Sequence, residues 1–115
     1  MGGKVVIIHS KEEWDAQMSQ NDAVFVIDFT ATWCGPCRMI GPYFEELSGQ
    51  YDTVTFLKVD VDEVEAVAAE CGISAMPTFQ VWKGGKKVEE IVGANKEKLK
   101  ALVEAHKGAA SLAMA

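Results

Sequence analysis

Cysteine, histidine and basic side chains are scarce in this 115-residue chain: three Cys, two His, and 11 Lys plus Arg against 17 Asp plus Glu, a formal charge of −6 at pH 7. So few cysteines exclude a disulfide-rich scaffold. The acidic excess repels phosphate backbones and anionic membrane surfaces, and no basic stripe offsets it locally, so neither nucleic acid nor membrane is an expected partner. Long apolar runs are missing as well. Val5 to Ile8 is too short for a signal-peptide core or a membrane span. Gly2 opens no myristoylation motif, because Val6 stands where Ser or Thr is required, and the end from Gly108 to Ala115 carries no prenylation, retention or peroxisomal signal. These absences lead to the expectation of a reducing, cytoplasmic setting, where paired cysteines more often bind metal or do redox chemistry than brace a fold.

What is present suits one compact domain over residues 1–115, with an ordered core over 4–107 and residues 108–115 expected to fray. Hydrophobic residues make up 49% and charged residues 24%, and a chain this long buries roughly two-thirds of its unfolded surface without metal or disulfide staples. There is no internal repeat and no linker. Strand-like runs alternate with helical stripes, the pattern of an α/β domain in the order βαβαβαββα. Val5–Ile8 reads as a short strand, and Ser10 with Glu13 has capping-box spacing ahead of a helix bearing Trp14 and Met18. Val24 to Thr30 is almost unbroken apolar sequence, as expected of a central strand covered on both faces.

Further along, Ile40, Tyr43, Phe44, Leu47 and Tyr51 mark a long helix that Pro42 is expected to kink, and Thr53–Asp60 returns as a strand. Asp62 and Glu65 repeat the capping spacing before the short stripe Val64, Val67, Ala68 and Cys71. Thr78–Lys83 and Lys87–Val92 form a hairpin around Gly84-Gly85. Asn95 caps a last helix with the stripe Leu99, Leu102, Val103 and His106.

The chemistry is concentrated in Trp33-Cys34-Gly35-Pro36-Cys37, between the most apolar strand and the long helix. A CxxC pair at a strand-to-helix junction in a βαβ unit reads as a redox dithiol. Cys34 falls at the helix N-terminus, where free N–H groups and the macrodipole stabilise a thiolate, and Cys37 lies about one turn further in. Pro36 lacks an N–H that the first turn leaves unpaired in any case. Half of a zinc site is the competing reading. Zinc takes four ligands, however, and Cys71, His9 and His106 stand at no ligand spacing from the pair. Nor does the acidic group Asp60, Asp62, Glu63 and Glu65 carry a calcium-loop pattern; it reads as a solvated helix start.

These stretches, together with Asp28-Phe29-Thr30, Phe56 to Asp62, Ala75-Met76-Pro77-Thr78-Phe79 and Val92-Gly93-Ala94, resemble the thioredoxin family, in particular the h-type of plants and green algae; the likeness covers residues 4–107. It implies the thioredoxin fold, a central mixed sheet of five strands flanked by four helices. It also implies a monomeric protein-disulfide reductase active in electron transport and redox homeostasis. Such a protein binds no cofactor, serves diverse disulfide-containing protein substrates, and is recharged by thioredoxin reductase with electrons from NADPH. Thr30 stands where bacterial members have tryptophan, as in eukaryotic members, and Arg38 replaces a frequent lysine.

For thioredoxins the attacking thiol has an established pKa of about 7 against about 8.5 for a free cysteine, a family value adopted as such. The difference is worth roughly 2 kcal/mol. An exposed helix end supplies about 0.3 to 1 kcal/mol, so hydrogen bonds to the thiolate, the Cys37 N–H among them, are also required. The resemblance further implies that Cys34 attacks, Cys37 resolves, and Asp28 takes the Cys37 proton near Lys58. Pro77 matches a cis-proline that exposes backbone to an extended substrate, on a flat apolar patch with Trp33, Gly35, Pro36, Met76, Gly93 and Ala94. Two other functions share these residues. One is an oxidase or isomerase of the disulfide-isomerase type, against which Gly35-Pro36 argues, since that group usually has Gly-His there. The other is a binding module for which the dithiol is a switch.

Overall fold

The computed structural model describes residues 4–113, with side chains to residue 107. Residues 1–3, Gly2 among them, and 114–115, the end of the stretch expected to fray, lie outside these. The elements are β1 (Val6–Ile8), α1 (Lys11–Met18), β2 (Val24–Thr30), α2 (Gly35–Gln50), β3 (Thr55–Asp60), α3 (Glu65–Glu70), β4 (Thr78–Lys83), β5 (Lys86–Val92) and α4 (Lys96–Ala113). The described backbone of α4 thus continues past Gly108. Ser10 Oγ accepts from the Glu13 N–H at 3.1 Å while Glu13 Oε1 accepts from the His9 N–H at 2.7 Å, so the Ser10/Glu13 cap forms with its return bond one residue early. Asn95 caps α4 through the Lys98 N–H.

The strands form one mixed sheet in the order β1-β3-β2-β4-β5, with β1 and β2 parallel to β3, and β4 antiparallel to both β2 and β5. Its middle strand is β2, in which every residue after Val24 is buried. Alternation sends Phe25, Ile27 and Phe29 to the α1/α3 face with Trp14 and Val67, and Val26 to the α2/α4 face with Phe44, Leu99 and Val103. Trp82, whose face the sequence leaves open, lies edge-on to Trp14 with centroids 5.3 Å apart. Gly84 and Gly85 have φ of 62° and 75°, the left-handed pair that a two-residue type I′ turn requires.

The start of α3 departs from the expected cap. Asp62 caps nothing; instead Asp60 Oδ1 accepts from the Asp62 and Glu63 N–H groups, and Val64 occupies the cap position without a side-chain bond. Asp60 holds the turn ahead of the helix, the Asp62 carboxylate is turned to the Trp33 indole, and the helix begins at Glu65. Helix α2 runs without a break through Pro42. It is fixed to the sheet by Cys37, Ile40, Phe44 and Leu47, and the Phe44 ring meets Phe56 and Phe79 at 5.3 and 5.7 Å. Among the described residues no helix is long and apolar enough to cross a membrane.

Since these rings hold α2 in place, Phe44→Ala is expected to lower unfolding stability by about 3 to 5 kcal/mol. Urea denaturation checks this; a loss below about 1 kcal/mol would show that other contacts fix the helix.

Candidate active site

The cysteine pair sits where β2 hands over to α2. Cys34 is the N-cap of α2 with extended backbone, and its Sγ accepts from the Cys37 N–H at 3.2 Å. The Sγ atom therefore occupies the place that a serine or aspartate oxygen takes in an ordinary cap. The two cysteines are disulfide-bonded, with Cα atoms 5.3 Å apart, and both are buried. They pack with Ala31, Val61 and Met76. Gly35 and Pro36 form the start of the helix, Gly35 half-buried and Pro36 exposed.

The preceding loop is held from several directions. Cys34 N–H donates to Ala31 O at 3.2 Å, and Arg38 reaches back from the helix to donate from Nη1 to Thr32 O at 2.7 Å. Trp33 is 65% exposed, and its Nε1 donates to Asp62 Oδ2 at 2.8 Å. Asp62 and Arg38 are contacts that the sequence did not reveal. The acids read as a solvated helix start have separate tasks: Asp60 shapes the turn, Asp62 orients Trp33, and Glu63 pairs with His9 Nδ1 at 2.8 Å. Glu63 in turn raises the His9 pKa.

Across from the pair, the Met76–Pro77 peptide is cis, and Met76 O lies 3.7 Å from Cys34 Sγ. Pro77 is buried and its carbonyl accepts from the Gly93 N–H at 2.9 Å, which ties the approach to β4 to the end of β5. Gly93 has a φ of 108°, and exposed Ala94 follows it. Val92, which belongs to the family-like stretch Val92-Gly93-Ala94 but not to the patch read from the sequence, precedes them and is 58% exposed. Thus Cys34, Cys37 and Met76 touch, and Pro77, Gly93 and Ala94 adjoin them.

Asp28 lies deeper, 2% exposed. Its position in β2 puts it on the same face as Val26 and Thr30, the face that α2 covers. Lys58 is its register partner on β3. Burial pushes the Asp28 carboxyl up to about 7, and the Lys58 charge draws it partly back. Its Oδ1 has no hydrogen-bond partner among the described residues. A cleft of about 750 Å³ is lined by Thr30, Cys37, Pro42 and Lys58 among others, and Asp28 lies behind its lining.

The third cysteine takes no part. Cys71 is buried at the end of α3, and burial pushes its thiol up to about 12. His106 joins α4 to β5 through Glu89 Oε1 at 2.6 Å. Among the described residues no three His, Cys, Asp or Glu side chains are placed to hold a metal ion.

Comparison with known proteins gives a consistent result. The family model for thioredoxin matches residues 5–105. An H-type thioredoxin of Chlamydomonas reinhardtii is 57% identical over 113 residues, covering 95% of this chain and all of the relative. Horse thioredoxin is 53% identical over 98 residues, 84% of this chain and 93% of its own. The crystal structure of thioredoxin NaTrxh from Nicotiana alata superposes with a TM-score of 0.87 at 42% identity, covering 92% of this chain and 95% of that one.

The buried acid sets a pH dependence of known sign. Asp28 binds its proton more tightly folded than unfolded, so its contribution is most favourable below about pH 4 and is lost as pH rises through about 7. The span between these values corresponds to roughly 4 kcal/mol. Asp28→Asn removes the ionisation, so the stability of the variant relative to the parent is expected to grow by about that amount from pH 4 to pH 8. Denaturation at both pH values checks it, and a pH-independent difference would contradict it.

Proposed function

The chain belongs to the thioredoxin family, and on that premise we propose how its residues divide the reaction. It is a dithiol–disulfide oxidoreductase that reduces protein disulfides, and its family works without a bound cofactor. The observation that carries the division of roles is the hydrogen bond from the Cys37 N–H to Cys34 Sγ at the N-terminus of α2.

In the reduced protein Cys34 is the thiolate. It attacks one sulfur of a substrate disulfide, forms a mixed disulfide and releases the other substrate sulfur as a thiolate. Cys37 then gives its proton to Asp28 and attacks Cys34 Sγ, which closes the Cys34–Cys37 disulfide and frees the second substrate thiol. Two electrons pass to the substrate. Lys58, paired in register with Asp28, steadies the carboxylate that must stand ready before it takes the proton, and the cleft lined by Cys37 and Lys58 supports this reading because it brings solvent to the residues around the transfer. Substrates lie across Trp33, Gly35, Pro36, Met76, Pro77, Gly93 and Ala94, of which Trp33, Pro36 and Ala94 are exposed.

Thioredoxin reductase, with NADPH as the electron source, restores the dithiol and so places the protein in an electron-transfer chain. The protein works as a single domain over residues 1–115, as a monomer, in the cytoplasm, on many disulfide-containing proteins. The acidic surface and short apolar runs support that setting.

Insulin reduction driven by dithiothreitol tests the division of roles. Cys34→Ser is expected to abolish the acceleration, whereas Cys37→Ser accumulates a mixed disulfide visible by mass spectrometry. Retained turnover in Cys34→Ser, or a mixed disulfide trapped on Cys37 in place of Cys34, would overturn the assignment.

A further inference from the structure

Helix α2 buries Cys37, Ile40, Phe44 and Leu47, so its opposite face should be polar. Met39 interrupts that face. At 78% it is the most exposed large hydrophobic side chain among the described residues, and nothing in the core requires it. Leaving a long apolar side chain in water gains the folded protein nothing, so its setting is informative.

That setting is the start of the second turn of the redox helix. Met39 stands four residues after Gly35, one turn away on the same side of the helix. Helical side chains lean toward the N-terminus, so Met39 leans toward the turn that begins at Cys34. Gly35 leaves the ground between them open: a Cβ placed there would meet nothing within 4 Å. The result is a shallow shelf with Gly35 as its floor, Met39 as its outer wall, and Cys34 at its inner end. Two of the other exposed large hydrophobics stand next to residues of the same site: Trp33 directly precedes Cys34, and Val92 directly precedes Gly93, which is bonded to Pro77. The shelf is therefore continuous with the site where exchange occurs.

We propose that Met39 is a specificity-determining residue, forming with Gly35 a shelf that receives an apolar side chain of the extended substrate segment next to the cysteine under attack. The assignment rests on the reading that substrates dock on the face around Trp33 and Cys34. It adds to that face a wall on the outer side of α2. A methionine suits this use, because its unbranched, polarisable side chain re-packs against apolar groups of different shapes, as a reductase of many proteins needs. A disulfide without flanking chain does not reach the wall and gains nothing from it.

Saturation kinetics of the dithiol form with insulin and with cystine test the proposal, using Met39→Gln, Met39→Leu and Trp33→Ala. Met39→Gln keeps length and helix propensity but makes the wall polar. With insulin its half-saturation concentration is expected to rise about five- to tenfold, on the order of 1 kcal/mol, with the limiting rate within about twofold. Met39→Leu restores the parental value, and with cystine both variants stay within about twofold of the parent. An unchanged half-saturation in Met39→Gln while Trp33→Ala raises it would overturn the shelf and leave the docking face intact. If neither variant changes it, the docking face itself fails and the shelf with it. An equal loss on cystine and insulin would also overturn the proposal, because Met39 would then be acting on Cys34 and not on the partner.

Discussion

The Cys37 N–H donates to Cys34 Sγ across 3.2 Å, and the rest of the site is arranged around keeping that sulfur at the mouth of a helix. A cap position supplies unpaired N–H groups and the positive end of the macrodipole, and here it is filled by sulfur in place of oxygen. The acidity that such a position confers is only part of the gain. Lowering a thiol from about 8.5 to about 7 raises the thiolate fraction at neutral pH some 15-fold, but lower nucleophilicity takes back about 4- to 6-fold. Placement supplies the remainder: the resolving cysteine is held one turn away, and the loop before the pair is pinned by the Arg38 side chain and the Trp33–Asp62 bond.

That placement depends on the sheet. β2 is covered on both faces, and α2 leaves its end with four buried side chains of the helix already on the sheet face that holds Asp28. A carboxyl in that position weakens the fold at neutral pH, since burial opposes its ionisation and its Oδ1 has no partner among the described residues. An apolar residue would stabilise the same space, and the proton-acceptor role proposed for Asp28 gives the carboxyl a use there. The cost is carried by a core whose aromatic contacts, Phe44 with Phe56 and Phe79 on one face and Trp14 with Trp82 on the other, are extensive.

Much of this was legible in the sequence because the signals are local. The apolar run of β2, the Ser10 and Asn95 caps, the Gly84-Gly85 turn and the CxxC junction each depend on residues within a few positions of one another, and each forms as expected. What the sequence concealed depends on distance or competition. Asp62 meets Trp33 across 29 positions, and the face of Trp82 is settled only by Trp14. The α3 cap failed as an expectation because the Asp62 carboxylate is taken by the distant Trp33 indole, while Asp60 holds the turn ahead of the helix. The likeness of Ala75-Met76-Pro77 to a family segment, and not any local propensity, indicated that this distant loop would stand against Cys34.

The central claim concerns one sulfur, and the most direct measurement is a pH titration of Cys34 in the reduced protein, read by thiolate absorbance and by alkylation rate. Half-ionisation near the family value of about 7 is the expected result. A midpoint at about 8.5, that of an ordinary cysteine, would contradict it, since neither the helix end nor the Cys37 N–H would then be stabilising the anion.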